Sequence, residues 1–238
     1  MAAQRVKRLL LAAAAGALAV HAAPALTSYA PARRRLLPGL SGSGARDHVA
    51  LTFDDGPDPK STPRFLELLA QRHDTATFFF LGYMLSSAPE LGRDIVGAGH
   101  EIALHGYTHR CLLFRSPWST YDDLARGRDT VGDITGRAPV WYRPPYGVLT
   151  SSTLRATKRL GLSPVLWTAW GRDWEAKATQ QTVFDTVNDR LGGGGTVLLH
   201  DSDCTSAPDS WRRTLGALPR LLDEIERRKL RVGPLGEH

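Results

Sequence analysis

Short apolar runs alternate with longer stretches in which apolar positions recur every three or four residues, and the alternation starts at residue 48. His48-Val-Ala-Leu-Thr-Phe53 reads as a buried strand, followed by a helix that opens at Ser61-Thr-Pro63 and shows its apolar face in Phe65-Leu-Glu-Leu-Leu69. Thr75–Leu81, closed by Gly82, is a second strand, and Pro89–Val96 is a helix stopped near Gly97 and Gly99. Glu101–Leu104, Val140–Tyr142, Pro164–Trp170 and Thr196–Leu199 are further strands. Leu124–Ile134, Leu154–Leu160, Val183–Leu191 and Leu215–Leu230 are the helices between and after them. Strand and helix in strict alternation predict a parallel α/β architecture. Each polar cluster of interest falls just after a predicted strand, as expected of a barrel with one functional rim.

Upstream of residue 48 the pattern changes. Arg5, Lys7 and Arg8 precede an Ala/Leu-rich run from Leu9 to Val20, then small residues at Ala22, Ala23 and Ala25. A basic start, a short apolar core and small residues describe an export signal. The apolar run is short of the roughly 20 residues that span a bilayer, but extension through Leu26 approaches that length. A retained anchor over residues 9–26 is therefore the alternative to cleavage, and a plain helix of the folded domain is the third reading. Residues 30–46, rich in Pro, Arg, Gly and Ser, read as a linker, so 1–46 is taken as leader plus linker and 47–238 as one domain.

Charge follows the same division. The chain of 238 residues carries a formal +6, yet residues 1–46 hold seven basic side chains and no acid. The rest holds 23 basic against 24 acidic groups, a net of −1, so a nucleic-acid partner has no support. Contact with a membrane is expected only through an uncleaved N-terminal segment.

The chemistry begins at Asp54-Asp55-Gly-Pro57, where the first strand becomes a turn. Side chains of neighbouring residues diverge at a strand end, so one carboxylate can bind a metal while the other stays free as a base; a plain Asp/Gly turn is the other reading. His105 and His109 stand at i, i+4 after the third strand. Gly106 occupies the place of the catalytic Glu in a zinc-protease helix, which excludes that motif. With Asp55 the two histidines make a three-ligand set with room for water, although a histidine pair alone is more often incidental. His100 lies at the start of the strand and is read as structural.

Thr52-Phe-Asp-Asp-Gly-Pro57, His105-xxx-His109, Arg143-Pro-Pro-Tyr-Gly147, Asp173-Trp174 and Leu198-Leu-His-Asp201 together resemble the five ordered motifs of the polysaccharide deacetylases, the NodB-homology group or carbohydrate esterase family 4. The resemblance spans roughly residues 47–230. It implies a distorted, incomplete (β/α) barrel. It further implies Asp54 as general base, and Asp55, His105 and His109 as ligands of a divalent metal. Arg143 would orient Asp54, the backbone N–H of Tyr146 would complete an oxyanion hole, and Asp173 would hydrogen-bond the general acid His200. Trp174 and Leu198 would wall the acetyl pocket. Two positions depart from the family: Gly106 replaces the usual Ser or Thr after the first histidine, and Trp170 stands where an additional Asp often begins the fourth motif.

The implied chemistry is coherent, since an amide needs a polarised carbonyl, an activated water and a protonated amine leaving group. The resemblance thus leads to removal of N-acetyl groups from an amino-sugar polymer or oligomer, chitin-like or peptidoglycan glycan. An O-deacetylase of xylan type and a catalytically silent carbohydrate-binding domain are the alternatives. Two histidines and an aspartate suit Zn²⁺ first, with Co²⁺, Ni²⁺ or Mn²⁺ also compatible. Cys111 and Cys204 follow a ligand and the acid respectively, so their loops should converge. An oxidising compartment would permit a disulfide, while barrel geometry, in which these strands need not be neighbours, argues for two free thiols.

Overall fold

The computed structural model describes residues 1–238. Its centre is a curled parallel sheet whose strands are β1 (His48–Asp54), β2 (Thr77–Leu81), β3 (Glu101–Gly106), β4 (Trp141–Tyr142), β5 (Ser163–Pro164), β6 (Ala169–Trp170), β7 (Gly195–His200) and β8 (Arg231–Gly233). The ladder runs β5-β4-β3-β2-β1-β7-β6, and β8 also pairs with β1. β5 and β6 are thus the two edges of an open barrel. The first strand is central and buried throughout, consistent with its unbroken apolar run.

The period of two along β1 divides its side chains between two environments. Val49, Leu51 and Phe53 face outward into the large core shared with the helices, where Phe53 packs on Phe65 and Phe78 at 5.2 Å each. Ala50 belongs to a small inner cluster with Phe79, Ala103, Val165 and Leu235. Thr52 and Asp54 continue the inner row. A barrel whose interior is plugged by Ala50, Phe79 and Ala103 at one end therefore presents Asp54 at the other.

The helices of the domain are α3 (Thr62–Arg72), α4 (Gly82–Ser87), α5 (Pro89–Gly97), α6 (Pro117–Thr135), α7 (Ser151–Leu160), α8 (Gln180–Asn188) and α9 (Ser210–Arg227). The N-terminal segment contributes α1 (Ala2–Ala22) and α2 (Ala30–Leu36). Several ends lie earlier than the apolar pattern places them, because capping rather than burial sets them. Ser116 accepts the Ser119 amide and starts α6 ahead of Leu124, and Thr150 and Thr179 form reciprocal capping boxes with Thr153 and Thr182. The short α4 and β8 carry too little periodicity to be read from sequence.

Two expectations need restating, and the open question of the cysteines is answered. The strand predicted over Pro164–Trp170 is instead two short pairings, β5 and β6, separated by residues 165–168. Residues 38–44, read as linker, lie against the domain: Ser41 is buried, the Leu166 amide donates to the Leu40 carbonyl at 2.7 Å, and Thr196 Oγ1 donates to the Gly42 carbonyl at 2.6 Å. Cys111 and Cys204 are free thiols, so no disulfide links the two loops. Residues Ala3–Ser28 form a stretch long and apolar enough to cross a membrane, its apolar run exposed and His21 near its end in contact with Leu113 and Ser152 of the domain.

Candidate active site

The inward row of β1 ends in Asp54, which is 2% exposed. Its Oδ1 accepts a hydrogen bond from Arg143 Nη1 at 2.7 Å, and the same nitrogen donates to Thr52 Oγ1 at 2.8 Å. Arg143 Nη2 donates to the Leu166 carbonyl at 3.0 Å, and its guanidinium lies 4.0 Å from the centre of the Phe79 ring. A fully buried guanidinium so tied can neither swing away nor rotate. Burial pushes the Asp54 carboxyl above the ordinary carboxylate range, against the opposing pull of Arg143 and His200.

One residue further on, the chain leaves the strand with Asp55 at φ +77°. That left-handed backbone turns the second carboxylate away from the first, a strained conformation of the kind held at functional sites. Asp55 Oδ1 lies 3.4 Å from His105 Nε2 and 3.5 Å from His109 Nε2. His105 Nδ1 donates to the Arg143 carbonyl at 2.8 Å, which fixes the tautomer and leaves a lone pair on Nε2. Burial lowers the His105 pKa to about 3, so the ring is neutral at ordinary pH.

These groups fit a divalent metal. Asp55 Oδ1 is buried without any hydrogen-bond partner, facing the two ring nitrogens, and the three potential ligand atoms lie within 4.8 Å of one another. An uncompensated carboxylate oxygen of this kind is costly unless a cation satisfies it. Asp55 Oδ2 is occupied separately, by a 2.5 Å hydrogen bond from Thr205 Oγ1.

The opposite wall is built by β7, the neighbour of β1. Their parallel register sets His200 directly beside Asp54. Asp173 Oδ1 accepts from His200 Nδ1 at 2.9 Å, while Asp173 Oδ2 accepts the His200 amide at 2.8 Å and Thr214 Oγ1 at 2.7 Å. Burial alone would lower the His200 pKa, but the Asp173 carboxylate outweighs it and raises the value to about 10. The ring is therefore held as an imidazolium whose free Nε2–H is the available proton.

Between these walls is a cleft of about 240 Å³, into which Asp54, His105, His109, Tyr146, Trp174, Leu198 and His200 all open. The Trp174 ring stands edge-on to His200 at 5.5 Å. Tyr146, at φ +60°, places its exposed ring 4.6 Å from His109. Trp170 stacks on Trp167 at 5.7 Å and meets Trp174 at 5.3 Å, which makes a continuous aromatic flank. All ten site residues expected from the sequence thus border or support one cleft. His100 lies apart from them, its Nδ1 accepting the Ala76 amide at 3.2 Å.

Four supporting residues were not anticipated. Thr52 was readable in principle, since it shares the inner face of β1 with Asp54 two residues away. Thr205, Thr214 and Asp123 carry no such signal. Asp123 of α6 accepts the amides of Tyr107 and Thr108 and the Thr108 hydroxyl, the last at 2.6 Å. It thereby holds the loop between the two histidines, where a hydroxyl after His105 was expected to be missed.

The polysaccharide deacetylase family model matches residues 41–165. A chitooligosaccharide deacetylase from a Bradyrhizobium strain is 34% identical over 220 residues, covering 88% of this chain and 98% of that protein. A peptidoglycan-N-acetylglucosamine deacetylase from Bacillus cereus is 31% identical over 192 residues, covering 79% and 86%. The solved structure of a family 4 carbohydrate esterase from Streptomyces lividans, in complex with acetate, superposes with a TM-score of 0.71 at 29% identity, covering 80% of this chain and 93% of that one. The open parallel barrel and its rim of carboxylates and histidines define a carbohydrate deacetylase fold, and the chain belongs to the polysaccharide deacetylase family.

Proposed function

We propose that the protein hydrolyses N-acetyl groups of an amino-sugar polymer or oligomer, using a divalent metal held by Asp55, His105 and His109. The observation that carries this reading is the unpartnered Asp55 Oδ1 facing the ring nitrogens of His105 and His109, flanked by a carboxylate on one side and an imidazolium on the other. The names of the Bradyrhizobium and Bacillus cereus relatives support an N-acetylated glycan as substrate.

A metal ion bound at these three residues would polarise the acetyl carbonyl and acidify a water molecule; Zn²⁺ fits the two-nitrogen, one-oxygen donor set. Asp54 accepts the proton of the attacking water, and Arg143 keeps its carboxylate aimed into the cleft. The Tyr146 backbone N–H meets the developing oxyanion. His200 Nε2–H delivers a proton to the departing amine, and Asp173 holds the charge until that moment. Trp174 and Leu198 enclose the acetyl methyl.

A protonated imidazole suits amide cleavage, because an unprotonated amine would have to leave as a far more basic anion than the alkoxide of an ester, which depends less on an acid. Release of acetate from chitooligosaccharide, peptidoglycan glycan and acetylated xylan, with and without chelator, tests the reading. Chelator-sensitive release from the first two supports it; release from xylan alone would assign an O-deacetylase, and no release from any would assign a silent binding domain. The N-terminal pattern, with the apolar stretch Ala3–Ser28, supports export to the wall or the medium, by cleavage or by anchoring.

A further inference from the structure

The gap between β5 and β6 is filled by other parts of the chain. Residues 165–168 run past it without strand pairing on that side, and their three consecutive carbonyls at 166, 167 and 168 each accept from an arginine. Arg143 takes the Leu166 carbonyl at 3.0 Å, Arg33 Nη2 takes the Trp167 carbonyl at 2.8 Å, and Arg34 Nη2 takes the Thr168 carbonyl. The Leu166 amide is held at the same time by the Leu40 carbonyl. This is why an apolar run that reads as one strand breaks in the middle.

Arg33 is only 3% exposed, although it belongs to a segment of low apolar content. Its remaining donors reach neutral acceptors: Nη1 the Thr27 carbonyl at 2.6 Å and the Ser28 carbonyl at 3.3 Å, Nε the Ser41 hydroxyl at 3.3 Å. Burial, with Arg34 and Arg143 nearby, lowers its pKa to about 10, so the position opposes a positive charge yet holds one. A buried cation persists only where its hydrogen bonds are all in place. The guanidinium groups of Arg33 and Arg143 both lie 5.9 Å from the Trp167 ring, whose indole lines the cleft and stacks on Trp170.

We infer that residues 27–42 form a strap across the open edge of the barrel, in which Arg33 and Arg34 are positioning residues that set the Trp167–Trp170 wall of the substrate cleft. The strap acts on binding: it fixes the flank along which a sugar ring lies, while Asp54, His200 and the metal ligands stay where β1, β3 and β7 put them. The inference rests on the deacetylase reading only for its kinetic measurement.

The test compares the full-length parent with Arg33→Ala and with Trp167→Phe. A stacked indole pair gives an exciton couplet in far-ultraviolet circular dichroism, which Trp167→Phe removes and so identifies. Arg33→Ala should weaken the same couplet and raise KM for a chitooligosaccharide about tenfold, a loss of about 1.4 kcal/mol in binding, with kcat within about threefold of the parent. A parent-like couplet, or a weakened couplet with unchanged KM, overturns the strap, as does a fall in kcat at unchanged KM. If Arg33→Ala does not fold, Arg34→Ala, whose side chain is partly exposed, decides by the same two readouts. The couplet needs no substrate. It therefore reports on the strap even if the parent releases no acetate, a result that would fell the deacetylase reading instead.

Discussion

Asp54 and Asp55 are neighbours with identical side chains and opposite surroundings. One ends the inner row of a strand against Arg143; the other is turned by a positive φ toward two histidines and Thr205. Their substitution should therefore fail in different ways. Asp55→Ala and His105→Ala should lose bound metal, read by elemental analysis, together with activity. Asp54→Asn should keep its metal while turnover falls by a factor on the order of 10², the usual loss of a general base. A parent-like rate in Asp54→Asn would remove it from the reaction. His200 offers a second contrast, because Asp173 is what holds its pKa near 10. The acid works only when protonated, so amide cleavage should decline as pH rises through that value. In Asp173→Asn the burial that opposes charge loses its largest counterweight, with only the weaker pull of Asp55 and Asp54 left, and the alkaline limb of kcat should move down toward neutrality. An activated aryl acetate, which needs no proton on its leaving group, should keep its alkaline activity in both proteins. Equal shifts on the two substrates would show that His200 does not act as the acid. The groups proposed to take part in the reaction were legible in sequence because each stands just after an apolar run and together they resemble the ordered motifs of one family. Thr205 and Thr214 were not, because a lone threonine gains its meaning only from which loop folds over it.

At the scale of elements, the segment after β3 shows how a loop can be held without the hydroxyl the family pattern favours. Gly106 has φ +114°, and a Cβ there would approach the Thr108 carbonyl at 3.0 Å and Asp123 Oδ2 at 3.1 Å. The backbone between the histidines is instead anchored by Asp123, which comes from the first half of α6. Restoring the family's serine should therefore not help: Gly106→Ser is expected to destabilise by about 1–3 kcal/mol, the cost of an unfavourable backbone conformation. Asp123→Ala leaves two amides and a hydroxyl without their acceptor and should cost about 1–3 kcal/mol as well. Because the loop carries His109, the Asp123 variant should also bind metal more weakly, measured by competition with a chromogenic chelator. A Gly106→Ser protein that melts above the parent would show that the loop has room and freedom the backbone does not indicate. The same helix explains one boundary the sequence misplaced. Apolar periodicity locates the buried middle of α6, whereas its start is set by the Ser116 cap, a local hydrogen bond that periodicity cannot report. The broken strand at 165–168 has the opposite cause, since its side chains are apolar enough for a strand and distant arginines take its carbonyls.

For the whole molecule, the strand–helix alternation was sufficient to predict a parallel α/β architecture, because each strand–helix pair is a local pattern, while the incomplete barrel was what the family resemblance implied. The open edge was not predictable in this way. It depends on hydrogen bonds between residues 166–168 and the N-terminal segment, more than a hundred residues apart, and that segment's composition resembles a linker. Global stability gives a property in which distant groups combine. In the metal-free protein buried histidines pull the pH dependence in opposite directions, His100 and His105 on the acid side and His200 on the alkaline side. Burial lowers the His100 pKa to about 4, below its ordinary value near 6.5, so the unfolded chain takes up a proton first as pH falls. Stability from keeping this ring neutral is lost between about 6.5 and 4. His200 is raised to about 10, so its pairing with Asp173 contributes fully below about 6.5 and is lost as pH rises through 10. The melting temperature should therefore peak near neutrality, with two limbs of separate origin. His100→Asn, which keeps an acceptor for the Ala76 amide, should make the acid limb shallower, leaving the share due to His105, whose pKa burial lowers to about 3, and should leave the alkaline limb as it was. Asp173→Asn should do the reverse. Scanning calorimetry of the chelated proteins from pH 4 to pH 10 makes the comparison, and acid slopes that coincide in parent and His100→Asn would assign that limb to other groups.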